Sequence, residues 1–183
     1  MPKAGNPPGS LRVSVQDIAR KPGTHKPHVC TVPAPAVLGT EVIGVPEGSD
    51  LGLELSLESV SEGIWVTGTV TAQAVGECAR CLEEAAEDVV AHIQGLYFYP
   101  DRADDPGDRE DVYDFDGEIL DLEGMIRDAV VSSLPFVPLC GPDCPGLCAQ
   151  CGARLADDPK HHHDVVDPRW AALEGLTDQK KEK

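Results

Sequence analysis

The stretch Leu51-Gly52-Leu53-Glu54-Leu55-Ser56-Leu57-Glu58 places a leucine at every second position. Because successive side chains of a strand point to opposite faces, this alternation predicts a strand with one buried face. Ser61-Glu62-Gly63 follows as a turn, and a second strand with the same alternation is predicted from Ile64 to Glu77. The two segments together predict an antiparallel hairpin, from which the rest of a sheet can be built.

A third strand and one helix extend this hairpin. Apolar residues alternate again from about Val89 to Tyr99, which predicts the third strand. From Leu122 to Leu134 the apolar residues fall on one face at a spacing of 3.6 residues, which predicts a helix that covers the sheet. Asp121 is the predicted N-cap of this helix, and Pro135 ends it.

Four of the seven cysteines lie close together after this helix, at Cys140, Cys144, Cys148 and Cys151. Their spacing is C-x3-C-x3-C-x2-C, and Gly152 allows the backbone to curl around the last pair as in a zinc knuckle. Four thiolates complete a tetrahedral zinc site, so the spacing predicts one structural zinc ion held by these four residues. Two disulfides are the alternative, which the low cysteine content and the lack of a signal peptide disfavour. The predicted fold is therefore α+β, an antiparallel β-sheet with a covering helix and a C-terminal zinc-knuckle segment.

A second pair, Cys78-Ala79-Arg80-Cys81, lies between the second and third predicted strands. A thioredoxin-type redox pair requires a junction from strand to helix, and the flanks here are predicted strands. Two packed structural cysteines are a further possibility. The remaining interpretation is a rival zinc site, in which Cys78 and Cys81 combine with two of the four C-terminal cysteines.

The net charge of −17 is unevenly distributed along the chain. Residues 101–123 contain eleven acidic residues against two arginines, in a segment whose first part, 101–116, is predicted to be a solvated loop. A surface this acidic repels nucleic acid at long range and attracts basic proteins. The window from Val112 to Glu123 partly follows a calcium-binding loop, but a valine occupies the first ligand position, so a calcium site is rejected.

The sequence predicts a single domain from residue 11 to residue 176, between a disordered tail at 1–10 and a polar tail at 177–183. The Pro-rich segment 21–35 is predicted to be a loop in which Cys30 is a spare thiol. A short helix is predicted around Trp170, and His161, His162 and His163 are expected to be exposed rather than ligands. No segment has the composition of a signal peptide or a membrane span, so a cytoplasmic protein is expected.

Six motifs follow one another along the chain. They are Pro22-Gly23, Cys78-Ala-Arg-Cys81-Leu82, Gly117-Glu-Ile-Leu-Asp121-Leu122, Leu134-Pro135-Phe-Val-Pro138-Leu139-Cys140, Gly146-Leu-Cys148-Ala-Gln-Cys151-Gly152 and Asp167-Pro168-Arg169-Trp170. In this order they resemble the YceD family, bacterial proteins associated with the accumulation of large-subunit ribosomal RNA. The resemblance covers residues 11–176 and has the form of the actinobacterial and Gram-positive members. An ending with Leu-Asn and a further cysteine, common in the family, is replaced here by Ala153-Arg154-Leu155-Ala156.

The resemblance implies a ribosome-biogenesis factor that supports synthesis, processing or stability of 23S ribosomal RNA, and it implies no catalytic residues. The residues agree, because no catalytic arrangement is recognisable and a four-thiolate zinc ion has no open coordination position. The alternative is a thiol-redox or metal-dependent enzyme that uses Cys78 and Cys81.

Two partners are open for such a factor. In one hypothesis, the acidic segment binds a basic ribosomal protein of the large subunit, and this hypothesis is favoured because the basic residues are scattered. In the other, a local surface binds the RNA itself by charge and base stacking. The protein-binding residues would be Asp104, Asp105, Asp108, Glu110 and Asp111, and the RNA-binding residues would be Arg80, Tyr97, Tyr99 and Arg154.

Overall fold

The computed structural model describes residues 11–101, 112–163 and 169. The chain divides into two compact units, Met1–Pro142 and Asp143–Lys183. All the regular elements of the described residues lie in the first unit. They are β1 (Arg12–Ser14), β2 (His25–Pro33), β3 (Leu38–Gly39), β4 (Ile43–Val45), β5 (Asp50–Ser59), β6 (Gly63–Glu77), β7 (Glu84–Phe98), β8 (Val112–Asp114), β9 (Ile119–Asp121) and α1 (Glu123–Ser133).

The main sheet is organised around β6, which pairs antiparallel with β5, β4 and β7. The path through the sheet is β2-β5-β6-β4-β3, and β7 continues it on the other side of β6. β8 adds one short parallel pairing to β7, and β1 with β9 forms a separate antiparallel pair. The predicted antiparallel sheet is confirmed, including the hairpin of β5 and β6.

One face of this sheet is the hydrophobic core. Leu51, Leu53, Leu55 and Leu57 are all buried, because every second side chain of β5 points to this face. The helix α1 contacts β7 and β3 and buries Met125, Ile126 and Val130. The covering helix expected from the apolar periodicity of 122–134 is therefore confirmed.

The helix begins one position later than predicted. Leu122 is the N-cap residue of α1, whereas Asp121 is still the last residue of β9. The side chain of Asp121 nevertheless accepts a hydrogen bond from the backbone N–H of Glu123 at 3.1 Å. Asp121 thus satisfies one of the donors that a helix leaves open at its start, although it is not the N-cap itself.

The Pro-rich segment 21–35 contains the nine-residue strand β2, so the loop prediction for this segment is wrong. β2 pairs with β5 alone, and Pro27 and Pro33 occupy positions in this edge strand. Prolines are tolerated there because one side of an edge strand needs no N–H donor. Cys30 lies in this strand with its Sγ atom 3.2 Å from Nε2 of His28, rather than in a loop.

Two further differences concern boundaries. The third predicted strand begins at Glu84 and not near Val89, because β7 stays paired with β6 as far as the hairpin tip. The predicted tails at 1–10 and 177–183 and the helix around Trp170 lie outside the described residues, as does most of the acidic loop. None of the helices described is long and apolar enough to cross a membrane.

Candidate metal centres

The hairpin tip between β6 and β7 is folded as a compact knuckle around Cys78-Ala-Arg-Cys81. The backbone N–H of Leu82 donates to the carbonyl of Cys78 at 2.9 Å, and the N–H of Cys78 donates to the carbonyl of Glu83 at 2.7 Å. Leu82 has a φ of 62°, a left-handed conformation that costs a non-glycine residue about 1–2 kcal/mol. The tight turn holds both cysteines on the same loop, with their side chains buried.

The segment that follows α1 brings Cys140 to this knuckle. The N–H of Ala79 donates to the carbonyl of Pro138 at 2.9 Å, which joins the hairpin tip to residues 138–140. As a result the Sγ atoms of Cys81 and Cys140 lie 3.6 Å apart. Sulfur atoms in a tetrahedral zinc site are separated by about 3.8 Å, whereas a disulfide bond measures about 2.0 Å.

The first candidate centre consists of four cysteines. Cys144 follows Cys140 by four residues, and the Sγ atoms of Cys78, Cys81, Cys140 and Cys144 all lie within 4.8 Å of one another. Four sulfur ligands in a cluster of this size suit Zn²⁺, which prefers four soft ligands in a tetrahedral arrangement. We call this group the thiolate centre.

The electrostatics of the knuckle favour a thiolate at Cys78. The backbone N–H of Cys140, followed by those of Arg80 and Cys81, lowers the pKa of Cys78 to about 6, against the opposing effect of burial. A metal-bound cysteine must be deprotonated, so these N–H groups prepare the sulfur to act as a ligand.

A second knuckle lies in the second unit, at Cys148-Ala-Gln-Cys151. Its backbone hydrogen bonds repeat those of the first, because the N–H of Gly152 donates to the carbonyl of Cys148 and the N–H of Cys148 donates to the carbonyl of Ala153, both at 2.8 Å. Gly152 takes the left-handed conformation at φ 73°, at the position where the first knuckle has Leu82. A bridge between Leu147 and Arg154 closes the small hairpin that carries this knuckle.

Two histidines complete a second group with this knuckle. Nε2 of His161 and Nε2 of His163 each lie 3.2 Å from Sγ of Cys151, and the two nitrogen atoms lie 2.9 Å apart. With Cys148 included, the four potential ligand atoms lie within 4.8 Å of one another. We call Cys148, Cys151, His161 and His163 the mixed centre.

These two groups differ from the ligand set that the spacing favoured. Cys140 and Cys144 lie in the thiolate centre, and Cys148 and Cys151 lie in the mixed centre. The thiolate centre corresponds to the rival arrangement, in which Cys78 and Cys81 combine with two of the C-terminal cysteines. Zinc binding by Cys140, Cys144, Cys148 and Cys151, or by the rival set that includes Cys78 and Cys81, stays a prediction. All seven cysteines lie within the described residues and are thiols rather than disulfides.

Sequence reasoning missed the histidines. His161 and His163 were expected to be exposed side chains without a ligand role, yet the structure places both beside Cys151. The signal was present in the sequence, because a Cys-x2-Cys pair followed within about a dozen residues by His-x-His contains four nitrogen and sulfur ligands for one zinc ion. The middle residue, His162, lies outside the group, and its Nδ1 atom is 3.1 Å from the carbonyl of Lys160.

The predicted RNA-contacting residues divide into two kinds. Arg80 and Arg154 are exposed, and their role stays a prediction. Tyr97 and Tyr99 are buried, so the expectation that bases stack on their rings is wrong. Both hydroxyl groups are used inside the protein, since Tyr97 donates to the carbonyl of Asp121 at 2.7 Å and Tyr99 accepts from the N–H of Arg20 at 2.6 Å.

The predicted protein-binding residues lie outside the described residues. They are Asp104, Asp105, Asp108, Glu110 and Asp111, all within the segment 102–111 that the structure does not describe.

The described residues define the class of this protein. It is an antiparallel β-sheet protein with one covering helix and with cysteine and histidine groups positioned to hold metal ions.

The chain matches the family of the Large ribosomal RNA subunit accumulation protein YceD over residues 66–177, which include both candidate centres. The chain belongs to the YceD family, as its motifs indicated. An uncharacterized protein of Mycobacterium tuberculosis is 48% identical over 164 residues, which cover 89% of this chain and 79% of that protein. An uncharacterized protein of Mycobacterium leprae is 44% identical over 161 residues, covering 87% and 74% of the two chains. No solved structure matches the chain.

Proposed function

We propose that this protein is a non-enzymatic ribosome-biogenesis factor that supports the accumulation of 23S ribosomal RNA in the cytoplasm. The observation that carries the proposal is the match to the YceD family over residues 66–177, since that family is described by the accumulation of large-subunit ribosomal RNA. The matched range includes most of strand β6, all of strand β7, the helix α1 and both candidate metal centres.

The thiolate centre has a structural role in this proposal. A zinc ion held by Cys78, Cys81, Cys140 and Cys144 would fasten the tip of the β6–β7 hairpin to the segment after α1. The hydrogen bond from Ala79 to Pro138 already joins these two segments. Four protein ligands leave zinc no open position for a substrate, which supports a structural ion and not a catalytic one.

The alternative is thiol-redox chemistry at the same pair. A pKa of about 6 makes Cys78 a thiolate at neutral pH, as in redox enzymes. However, the Cys78 side chain is fully buried, and a redox nucleophile must be reached by its substrate. The two functions differ in a simple assay. The zinc-loaded protein should show no thiol–disulfide exchange with a small disulfide, whereas a redox enzyme would react at once.

The partner in this proposal is a basic ribosomal protein of the large subunit. The support comes from the charge, since residues 101–123 contain eleven acids against two arginines. A concentrated acidic segment raises the rate at which a basic partner is captured, and it weakens direct contact with phosphates. The effect on ribosomal RNA would then be indirect, through delivery of a protein that the RNA needs for its assembly.

The experiment removes charge from that segment in cells. The test variant neutralises the proposed partner residues, as Asp104→Asn, Asp105→Asn, Asp108→Asn, Glu110→Gln and Asp111→Asn. The control variant changes the net charge equally on the exposed surface of the described residues, as Glu54→Gln, Glu58→Gln, Glu62→Gln, Glu87→Gln and Asp88→Asn.

The readout is the ratio of 23S to 16S ribosomal RNA in cells depleted of the wild-type protein. We expect the control variant to restore the ratio and the test variant to fail, with loss of a basic ribosomal protein from pull-downs of the test variant. Equal rescue by both variants would refute the role of the segment. Tight, salt-sensitive binding of the isolated protein to 23S ribosomal RNA, abolished by Arg80→Ala, would show that RNA is the direct partner.

A further inference from the structure

We propose that this protein has a second zinc site, formed by the thiolates of Cys148 and Cys151 and the imidazoles of His161 and His163. This inference concerns the mixed centre alone and does not depend on the ribosomal function or on occupancy of the thiolate centre. When the thiolate centre is also filled, each chain would hold two zinc ions, each with its own knuckle.

The first argument is the equivalence of the two knuckles. In both, the residue after the second cysteine closes the loop onto the carbonyl of the first cysteine, at 2.9 Å for Leu82 and 2.8 Å for Gly152. Both closing residues have a left-handed backbone. A knuckle with this geometry supplies two sulfur ligands and needs two more. For the pair Cys148 and Cys151, the two further ligands at hand are His161 and His163.

The second argument is the geometry of the four ligand atoms. With bonds of about 2.3 Å to sulfur and about 2.0–2.1 Å to nitrogen, neighbouring ligand atoms of tetrahedral zinc lie about 3.3–3.8 Å apart. The measured separations of 3.2 Å between Cys151 and each histidine, and of 2.9 Å between the histidines, are a few tenths of an ångström shorter. A small outward movement of these exposed side chains would accommodate the ion.

The local structure holds the histidines at this position. The N–H of His161 donates to the carbonyl of Asp158 at 2.9 Å, and a side-chain oxygen of Asp158 accepts from the N–H of Lys160 at 3.1 Å. This turn fixes the backbone just before the His-x-His motif.

The third argument is that the described residues 143–163 contain neither a hydrophobic core nor a disulfide. Between residues 143 and 163, all of them described, no hydrophobic side chain is buried. The cysteines of this segment form no disulfide. Units of a few dozen residues with neither a core nor a disulfide usually depend on a metal ion for their folded structure. A zinc ion in the mixed centre would join the small hairpin 146–155 to the turn at 158–163.

The choice of zinc follows from the ligands. Two thiolates and two imidazoles form a tetrahedral set of the kind found in structural zinc sites, and this set leaves no position open for water or substrate. The mixed centre is more exposed than the knuckle of the thiolate centre, since Cys151 and His163 are exposed whereas Cys78 and Cys81 are buried. We therefore expect a chelator to remove the zinc of the mixed centre first.

The experiment measures zinc in the full-length protein purified without chelators. We expect about two zinc ions per chain in the wild type, and about one in the double variant His161→Asn/His163→Asn. The matched control is His162→Asn, which lies between the two ligands but outside the group and should keep about two ions. In the complementary variant Cys78→Ser/Cys81→Ser, the mixed centre should still bind its ion.

Cobalt substitution gives a readout that does not depend on counting. The visible absorption of tetrahedral Co²⁺ depends on its ligands. The difference between the cobalt spectra of the wild type and of His161→Asn/His163→Asn should therefore be that of a site with two sulfur and two nitrogen ligands. The circular dichroism of the sheet serves as the folding check for each variant. The proposal is overturned if the zinc content of the histidine double variant equals that of His162→Asn, whatever the total zinc content of the wild type.

Discussion

The packing of α1 on the sheet leads to a quantitative prediction for Ile126→Ala. Ile126 is fully buried on the face of the helix that contacts β7 and β3. Its neighbours on this face, Leu122 and Val130, are fully buried as well. The substitution removes three carbon atoms from the core and leaves a cavity between the helix and the sheet.

The expected cost follows from this burial. Truncation of a buried isoleucine to alanine lowers the free energy of unfolding by about 2–5 kcal/mol, the sum of the lost transfer free energy and the cavity. The higher helix propensity of alanine returns a few tenths of a kcal/mol. We therefore expect a loss of about 3 kcal/mol, and a loss of about 0.5–1.5 kcal/mol for the smaller change Ile126→Val.

The assay is equilibrium unfolding in urea, monitored by circular dichroism. Zinc is present in excess, so that metal binding contributes equally to the free energy of unfolding of every variant. The control is Asp128→Ala, an exposed position on the same helix, which should change the stability by no more than about 0.5 kcal/mol. A loss below about 1 kcal/mol for Ile126→Ala, equal to that of Asp128→Ala, would refute the inference that this face of α1 completes the core.

Four further single substitutions have predictable effects. Burial raises the pKa of Tyr97 above its ordinary value, so the tyrosine ionises first in the unfolded state and the free energy of unfolding falls as the pH rises beyond about 10. In urea titrations, Tyr97→Phe should weaken this loss of stability at alkaline pH. At neutral pH the variant should lose about 1 kcal/mol, because the hydrogen bond to the carbonyl of Asp121 is removed. A methyl group at Gly95 would lie 2.6 Å from Cε of Met125, the flexible end of a methionine that can shift, so Gly95→Ala should lower the free energy of unfolding by no more than about 1 kcal/mol. The left-handed Leu82 should tolerate glycine with little change in stability, whereas Gly152→Ala should reduce the zinc affinity of the mixed centre about five-fold in a chelator competition.

The sheet and helix were predictable because their signal is local and periodic. Alternation over Leu51–Leu57 marks a strand whatever its neighbours are, and the 3.6-residue spacing from Leu122 to Leu134 marks a helix with one buried face. Strand β2 could not be found in this way. Its two prolines argue for a loop when read alone, and only the pairing with β5 on one side makes them acceptable.

Tyr97 in β7 and Tyr99 just after its end show the same limit for function. An aromatic residue in a strand gives the same sequence pattern whether its side chain contacts RNA or packs into the core. Tyr97 and Tyr99 follow the buried alternation of β7, and Phe115 covers both rings at centroid distances of 6.3 Å and 5.6 Å. The alternation of β7 fixes the face on which these rings lie. Whether that face is covered depends on β8 and the segment after it, which carry no strong periodic signal of their own.

The division of the cysteines was the part of the site that spacing alone could not give. C-x3-C-x3-C-x2-C looks like one zinc site because its four cysteines are contiguous, and four is the number that zinc requires. In the structure, the contact between Ala79 and Pro138 draws Cys140 to the hairpin tip, so the first part of the run serves a knuckle about sixty residues earlier in the chain. The last pair closes a knuckle of its own and meets His161 and His163. Each Cys-Ala-x-Cys motif therefore marks the start of a site, and the tertiary structure decides which ligands complete it.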